Sequence, residues 1–162
     1  MTPLNVIIPT ALVFLNGGRF TREVRVLLSP GSPHSIILTS TVDRMKLAYT
    51  TAFGEHKCQV RLQSRYAETS VVKVSAYMRS QLNVHLPRVA VDEEIRKYYD
   101  RLPLADPQFH NPKDIEMVLG ADIYSEIVRG GIVQSAAKIP TAFSTAFGWA
   151  IVGTFTFLDI HH

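Results

Sequence analysis

Between Lys57 and Tyr66 the chain alternates without a break. Cys58, Val60, Leu62, Ser64 and Tyr66 fall on one parity, and Lys57, Gln59, Arg61, Gln63 and Arg65 on the other. Side chains of an extended strand point to opposite faces in turn, so this alternation predicts a strand with one dry face and one wet face. Val72, Val74, Ala76 and Met78 repeat the pattern in a following strand. Upstream, Val6 to Leu15 is rich in β-branched and aliphatic residues and reads as a buried strand. Asn16-Gly17 then predicts a hairpin, because a type I′ turn requires positive φ at both central residues. The returning strand covers Glu23 to Leu28. Ser29-Pro30-Gly31-Ser32-Pro33 is a rigid loop, its prolines fixing φ and removing donors. Ser35 to Leu38 is a short strand.

The polar pattern places a short helix over Thr41 to Leu47, capped by Thr39 or Ser40, with Asp43 in its first turn. Val84 to Val91 is another strand, and Asp92 to Leu102 a polar helix capped by Asp92. Leu104 to Pro112 is a loop. Ile115 to Leu119 is a strand, and Gly120 opens a helix from Ala121 to Val128. Gly130-Gly131 ends that helix and releases a strand from Ile132. A last strand or hairpin runs from Ala142 to Phe157. Many short strands and two or three short helices give a mainly β fold, a closed barrel or sandwich. It forms one domain over residues 1–158, with 159–162 set apart as a tail that reads as the stub of a purification tag.

Composition narrows the function classes. The 162 residues are 46% hydrophobic and 19% charged, enough apolar material for a sizeable core. A net charge of +3 is mildly basic and is not the concentrated basic stripe of a nucleic-acid binder. Lys57, Arg61 and Arg65 share a face, and Lys73, Arg79 or Arg88 on neighbouring strands would extend it. That is the main support for a nucleic-acid reading, although a solvated sheet face explains it more simply. The one cysteine, Cys58, cannot staple the fold and points to a reducing, intracellular setting. No stretch approaches the roughly 20 apolar residues of a membrane span, and the apolar opening run lacks a basic leader. His56 and His110 are isolated, so neither a metal nor another cofactor is expected. Ser29 and His34 are the bare minimum for nucleophilic catalysis, with no orienting acid or oxyanion loop in evidence.

Several segments carry a resemblance when taken together. They are Ile8-Pro9-Thr10-Ala11, Arg25-Val26-Leu27-Leu28 with Gly31-Ser32, and Ser35-Ile36-Ile37. Leu104-Ala105-Asp106-Pro107, Leu119-Gly120-Ala121-Asp122-Ile123-Tyr124 and Phe147-Gly148-Trp149 follow in order. In this order and spacing, from about Ile7 to Phe155, the chain resembles the retropepsin-like aspartic protease domain of BEL/Pao-type retrotransposons. The resemblance implies a homodimer in which two loops reading Asp-Ser-Gly or Asp-Thr-Gly bring two carboxylates together to share a proton. It implies a flap hairpin over Ala48 to Lys57 with Phe53 and Gly54 near its tip. It also implies that Leu119 to Asp122 buttresses the active loop, with Asp106 and Asp122 in non-catalytic positions. The aromatic residues Phe147 and Trp149, with Phe155 and Phe157, are candidates for a dimer anchor or, equally, for an ordinary core cluster.

The chain departs from that family at the decisive place. The loop reads Ser29-Pro30-Gly31, so a serine stands at the aspartate position and a proline at the hydroxyl position. A serine hydroxyl is not ionised near neutral pH and cannot share a proton as a carboxylic acid does. The expectation is therefore a pseudo-protease without a catalytic residue, kept as a homodimerisation or peptide-binding module. A working aspartic endopeptidase, a nucleic-acid binder and a domain whose former dimer surface recruits a different protein are the alternatives.

Overall fold

A computed structural model of the chain describes residues 5–66, 70–82, 93–111, 113–133 and 139–155. Its two longest paired strands are those with the cleanest alternation: β6 (Glu55–Gln63) and β7 (Val71–Arg79) run antiparallel, Val60 opposite Val74 and Cys58 opposite Ala76. The inward residues Cys58, Val60, Leu62, Val72, Val74, Ala76 and Met78 are all buried. Tyr66 lies beyond the end of the strand and is half exposed, so the dry face stops one alternation earlier than the sequence implies. Its hydroxyl instead donates to Leu104 O at 2.5 Å.

The remaining strands wrap this pair. In chain order they are β1 (Asn5–Ile7), β2 (Thr10–Asn16), β3 (Thr21–Leu28), β4 (Ile36–Leu38), β5 (Tyr49–Ala52), β6, β7, β8 (Met117–Leu119), β9 (Val128–Val133), β10 (Thr141–Thr145) and β11 (Gly148–Phe155). The helices are α1 (Thr39–Met45), α2 (Glu93–Lys97) and α3 (Ala121–Ile127). One sheet has the order β2-β3-β8-β4-β7-β6-β5, and a further β2–β6 pairing closes six of those strands into a barrel. The second sheet, β1-β11-β10-β9, has four strands. The fold is mainly β, a closed barrel with three short helices. Closure leaves the barrel strands no free edge except at the ends.

Two main apolar cores and a small third cluster of Leu27, Ile115 and Val118 follow from this layout. The larger fills the barrel with Val13, Leu15, Val26, Ile37, Leu62, Met117 and Leu119, and Val42 and Met45 of α1 and Ile123 and Ile127 of α3 pack against its ends. The smaller lies behind the four-stranded sheet and joins Ile7, Ile95, Tyr99, Leu104, Phe109 and Ile151. The 103–106 segment stitches the two sheets together. Ala105 O accepts from Leu12 N at 2.8 Å, Ala105 N donates to Trp149 O at 2.8 Å, and Trp149 N donates to Pro103 O at 2.9 Å.

Several elements differ from the sequence reading, each for a local reason. Val6 to Leu15 is two strands rather than one, because Pro9 interrupts the ladder and lets β1 leave the barrel to pair with β11. The hairpin at Asn16 has a four-residue loop, since Asn16 pairs with Thr21. Within it only Gly18 has positive φ, and Asn16 Oδ1 accepts from Gly18 N at 3.1 Å. Helix α1 starts two residues early. Its N-cap is Leu38 with no side-chain cap, and Asp43 falls outside the first turn. Helix α2 ends at Lys97 and continues only as turns. Gly130 and Gly131 lie within β9, which begins directly at the end of α3, rather than between helix and strand. The expected strand over Val84 to Val91, the cap Asp92 and the tail 159–162 lie outside the described residues.

Candidate functional site

Strands β3 and β8 are parallel neighbours, with Leu28 level with Leu119. Parallel strands end at the same end of a sheet, so the segments that follow them meet. Ser29 N donates to Leu119 O at 2.9 Å, and Ala121 N donates to Ser32 O at 2.7 Å. Between these bonds Gly120 runs directly beneath the loop. A β-carbon there would come within 2.5 Å of Ser32 O and 2.7 Å of His34 O. Only glycine permits the approach.

The loop itself is a tight turn. Ser32 N donates to Ser29 O at 3.1 Å, which leaves Pro30 and Gly31 as the central pair. Proline's fixed φ suits the first of these positions. Gly31 does not use the left-handed region. Ser29 is half-buried, and Pro30 and Gly31 are exposed at the tip.

Ser35 anchors the loop at its far end. It is fully buried. Its Oγ donates to Asp122 Oδ1 at 2.7 Å and accepts from Gly120 N at 3.0 Å, while its own N–H donates to Asp122 Oδ2 at 3.0 Å. Both oxygens of Asp122 are thereby engaged in holding loop to helix. In the sequence Ser35 reads only as the start of a short strand, with no partner assigned. A small polar residue opening an otherwise apolar strand is the one signal that it has a buried partner.

Asp106 is likewise a structural carboxylate. Its Oδ2 accepts from Thr10 Oγ1 and from Arg25 Nε, each at 2.7 Å, and its Oδ1 accepts from Gln108 N at 2.9 Å. Arg25 and Asp106 are both almost wholly buried, and the guanidinium also donates to Asn111 O at 3.0 Å. The pair clamps the 104–113 loop onto β2 and β3. Glu116, also buried, accepts at Oε1 from Arg22, Arg44 and Thr41 at 2.8, 3.0 and 3.1 Å. Asp43 and Asp114 are exposed.

Strands β5 and β6 form a hairpin joined by Phe53-Gly54 alone, as Ala52 pairs with Glu55. Phe53 has φ 53° and Gly54 φ 76°. Positive φ at both positions is a type I′ turn, in which an aromatic first residue is disfavoured. The Phe53 ring is fully exposed. On the side of the hairpin toward β7, Thr50, Phe53, Glu55, Lys57 and Tyr77 line a shallow recess. Tyr77 also meets the edge of His34 from the loop, with ring centroids 5.1 Å apart, and Lys57 Nζ sits 4.5 Å from the Tyr77 centroid. Tyr77 thus links loop and hairpin, a position with no distinguishing mark in the sequence.

The other candidates resolve as follows. Phe147 is fully buried in the barrel core, which removes it from the surface as an interface residue. Trp149 is partly exposed. Its ring lies over Gly131, where a β-carbon would come within 2.8 Å. Among the described residues no hydrogen bond joins Ser29 to His34, and Ser32 Oγ donates to His34 O instead. Burial pushes the Cys58 thiol above its ordinary pKa, the opposite of what a nucleophilic thiolate requires. Burial first, and then the nearby Arg96 charge, lowers the pKa of His110. Among the described residues no three His, Cys, Asp or Glu side chains stand close enough to hold a metal, and no helix is long and apolar enough to cross a membrane.

No protein-family model and no curated protein matches the chain. Among solved structures, a retropepsin-like aspartic protease from Rickettsia conorii aligns over 96% of this chain and 97% of its own, at 9% identity and a TM-score of 0.33.

Proposed function

We propose that this chain is a catalytically silent retropepsin-like domain of retrotransposon descent, which pairs with a second copy of itself and holds an extended peptide between loop and hairpin. One observation carries the reading. The loop that follows the parallel ends of β3 and β8 offers Ser29-Pro30-Gly31 at its tip, a hydroxyl and an imide where paired carboxylates would be needed. Asp106 and Asp122 do not replace them, because their oxygens are taken up by Thr10, Arg25, Gln108 and Ser35. Without carboxylates at a shared axis, two copies of the loop meet without like-charge repulsion. The Phe53-Gly54 hairpin and the Tyr77 recess beside the loop supply an exposed aromatic and main-chain groups, the means by which an extended peptide is held.

The test compares the natural chain with the double variant Ser29→Asp/Pro30→Thr on a mixed peptide library, from acid to neutral pH. The natural chain is expected to cleave nothing. The variant is expected to gain peptidase activity that a transition-state inhibitor blocks, since the substitutions restore the acid to an intact groove. Cleavage by the natural chain would overturn the silent reading. Sedimentation equilibrium over a micromolar series tests the pairing separately, and a strict monomer there would discard it.

A further inference from the structure

The outer face of β6 and β7 carries cations that are treated in two different ways. Arg79 is paired with Glu55 at 2.8 Å, and Arg65 lies 3.9 Å from Glu23. Arg61 and Lys73 have no acidic partner among the described residues. Yet they are direct cross-strand neighbours, and Arg61 is also level with Asn16 of β2. The pairing register sets Asn16, Arg61 and Lys73 in one row across three strands. Like charges directly opposite one another weaken a sheet, so this row is a local cost with no counter-ion among the described residues.

The row lies in a recess of about 680 Å³. Its walls are the 16–18 turn on one side and Gln59, Ser75 and the two cations on the other, with no carboxylate. The turn stays low because Gly17 has no side chain. A β-carbon there would collide with Leu47 at 1.8 Å. Gly18 is open to solvent.

We propose that this recess binds a phosphomonoester dianion. An arginine fork and a lysine point charge side by side match a compact group with two charges and several acceptor oxygens. Gln59 and Ser75 add neutral donors. The volume falls in the range of small-molecule sites and exceeds what phosphate alone would fill, which leaves room for the organic group that bears it. A polynucleotide fits less well. It engages about six to ten phosphates along a basic track, whereas two free cations share this recess and Lys57 is drawn onto Tyr77. The site lies apart from the Ser29 loop, and the proposal does not rest on the peptide-holding reading.

The experiment is an amide-resolved NMR titration of the full chain with inorganic phosphate and with phenyl phosphate. Saturable shifts are expected at Gly17, Gly18, Arg61, Lys73 and Ser75, with phenyl phosphate binding more tightly. Arg61→Gln and Lys73→Gln are each expected to weaken binding by about tenfold or more. Each is also expected to leave the melting temperature unchanged or raise it, since the opposed charges are relieved. Affinity is expected to fall as the pH drops through about 6, where the dianion takes up a proton. Four outcomes would overturn the proposal: no saturable shift, shifts spread over every basic surface, undiminished binding by both variants, or binding of a single-stranded oligonucleotide with none of phenyl phosphate.

Discussion

Replacing Asp106 with alanine is expected to destabilise the domain more than any change at the Ser29 loop. The substitution leaves Arg25, only 6% exposed at its side chain, with neutral carbonyls as its sole partners, and it strips Thr10 Oγ1 of its acceptor. Removing one member of a buried ion pair costs about 3–5 kcal/mol, chiefly because the other charge stays buried and uncompensated. For a chain of this length each kcal/mol lowers the melting temperature by about 2–4 °C, which gives a drop of roughly 6–20 °C. Thermal unfolding followed by circular dichroism measures it. The double variant Arg25→Met/Asp106→Leu serves as the control. It replaces both charges with apolar groups of similar size, and its stability should return to within about 2 kcal/mol of the natural chain. The reasoning fails if Asp106→Ala lowers the melting temperature by less than about 2 °C. It fails equally if the double variant is as unstable as the two single changes added together, because the two side chains would then not be coupled.

Three further outcomes are expected. Gly120→Ala should cost about 1–3 kcal/mol through overpacking against Ser32 O and His34 O, and should displace the loop, seen as shifted amide resonances from Ser29 to Ser35. Phe53→Asn should stabilise the hairpin by up to about 1 kcal/mol by relieving an aromatic residue at positive φ, yet should weaken capture of an extended peptide measured by fluorescence polarisation; unchanged capture would remove Phe53 from the binding reading. Burial holds the Tyr99 phenol well above its usual pKa, and its hydroxyl donates to Pro140 O. A raised pKa on a group that is neutral when protonated adds stability that is fully present below about pH 10 and is lost as the pH climbs from there through the folded value. Tyr99→Phe should therefore leave the phenolate absorbance of the native protein unchanged, and loss of one tyrosine's worth of signal before unfolding would contradict this.

The parts of the fold legible in the sequence were those whose burial is one-sided. β6 and β7 announce themselves because alternate residues face a dry barrel and a wet exterior. The loop at Ser29 was legible through proline and glycine, whose backbone limits act locally, whereas the hairpin at Phe53-Gly54 was expected only from the family resemblance. What escaped depends on distant partners. Nothing near Pro9 in sequence says that β1 will pair with β11. Gly130-Gly131 has the look of a helix stop, and it is carried into a strand because β10 pairs with Val128 on one side of it and with Ile132 and Val133 on the other, while the Trp149 ring needs the space over Gly131. In the candidate site, Ser29, Pro30 and Gly31 were visible as loop residues. The roles of Ser35 and Tyr77 arise only when β3, β8, β4 and β7 lie in that order in one sheet. Phe147 was ambiguous in sequence, because an aromatic residue beside a glycine and a tryptophan looks the same whether it faces a partner or the barrel core, and its burial decides for the core.

The pairing of β1 with β11 also governs when the molecule can finish folding. Asn5 lies against Phe155, at opposite ends of the described residues. Hairpins such as β2–β3 and β6–β7 close over short loops and can form while the chain is still being made. The four-stranded sheet has no such option, because its first strand must wait for its last to leave the ribosome. Until then the apolar residues of β1 and of α2 lack the surface that covers them. The interval between completion of the barrel strands and arrival of β11 is therefore the time at which a nascent chain is most open to chaperones and to aggregation.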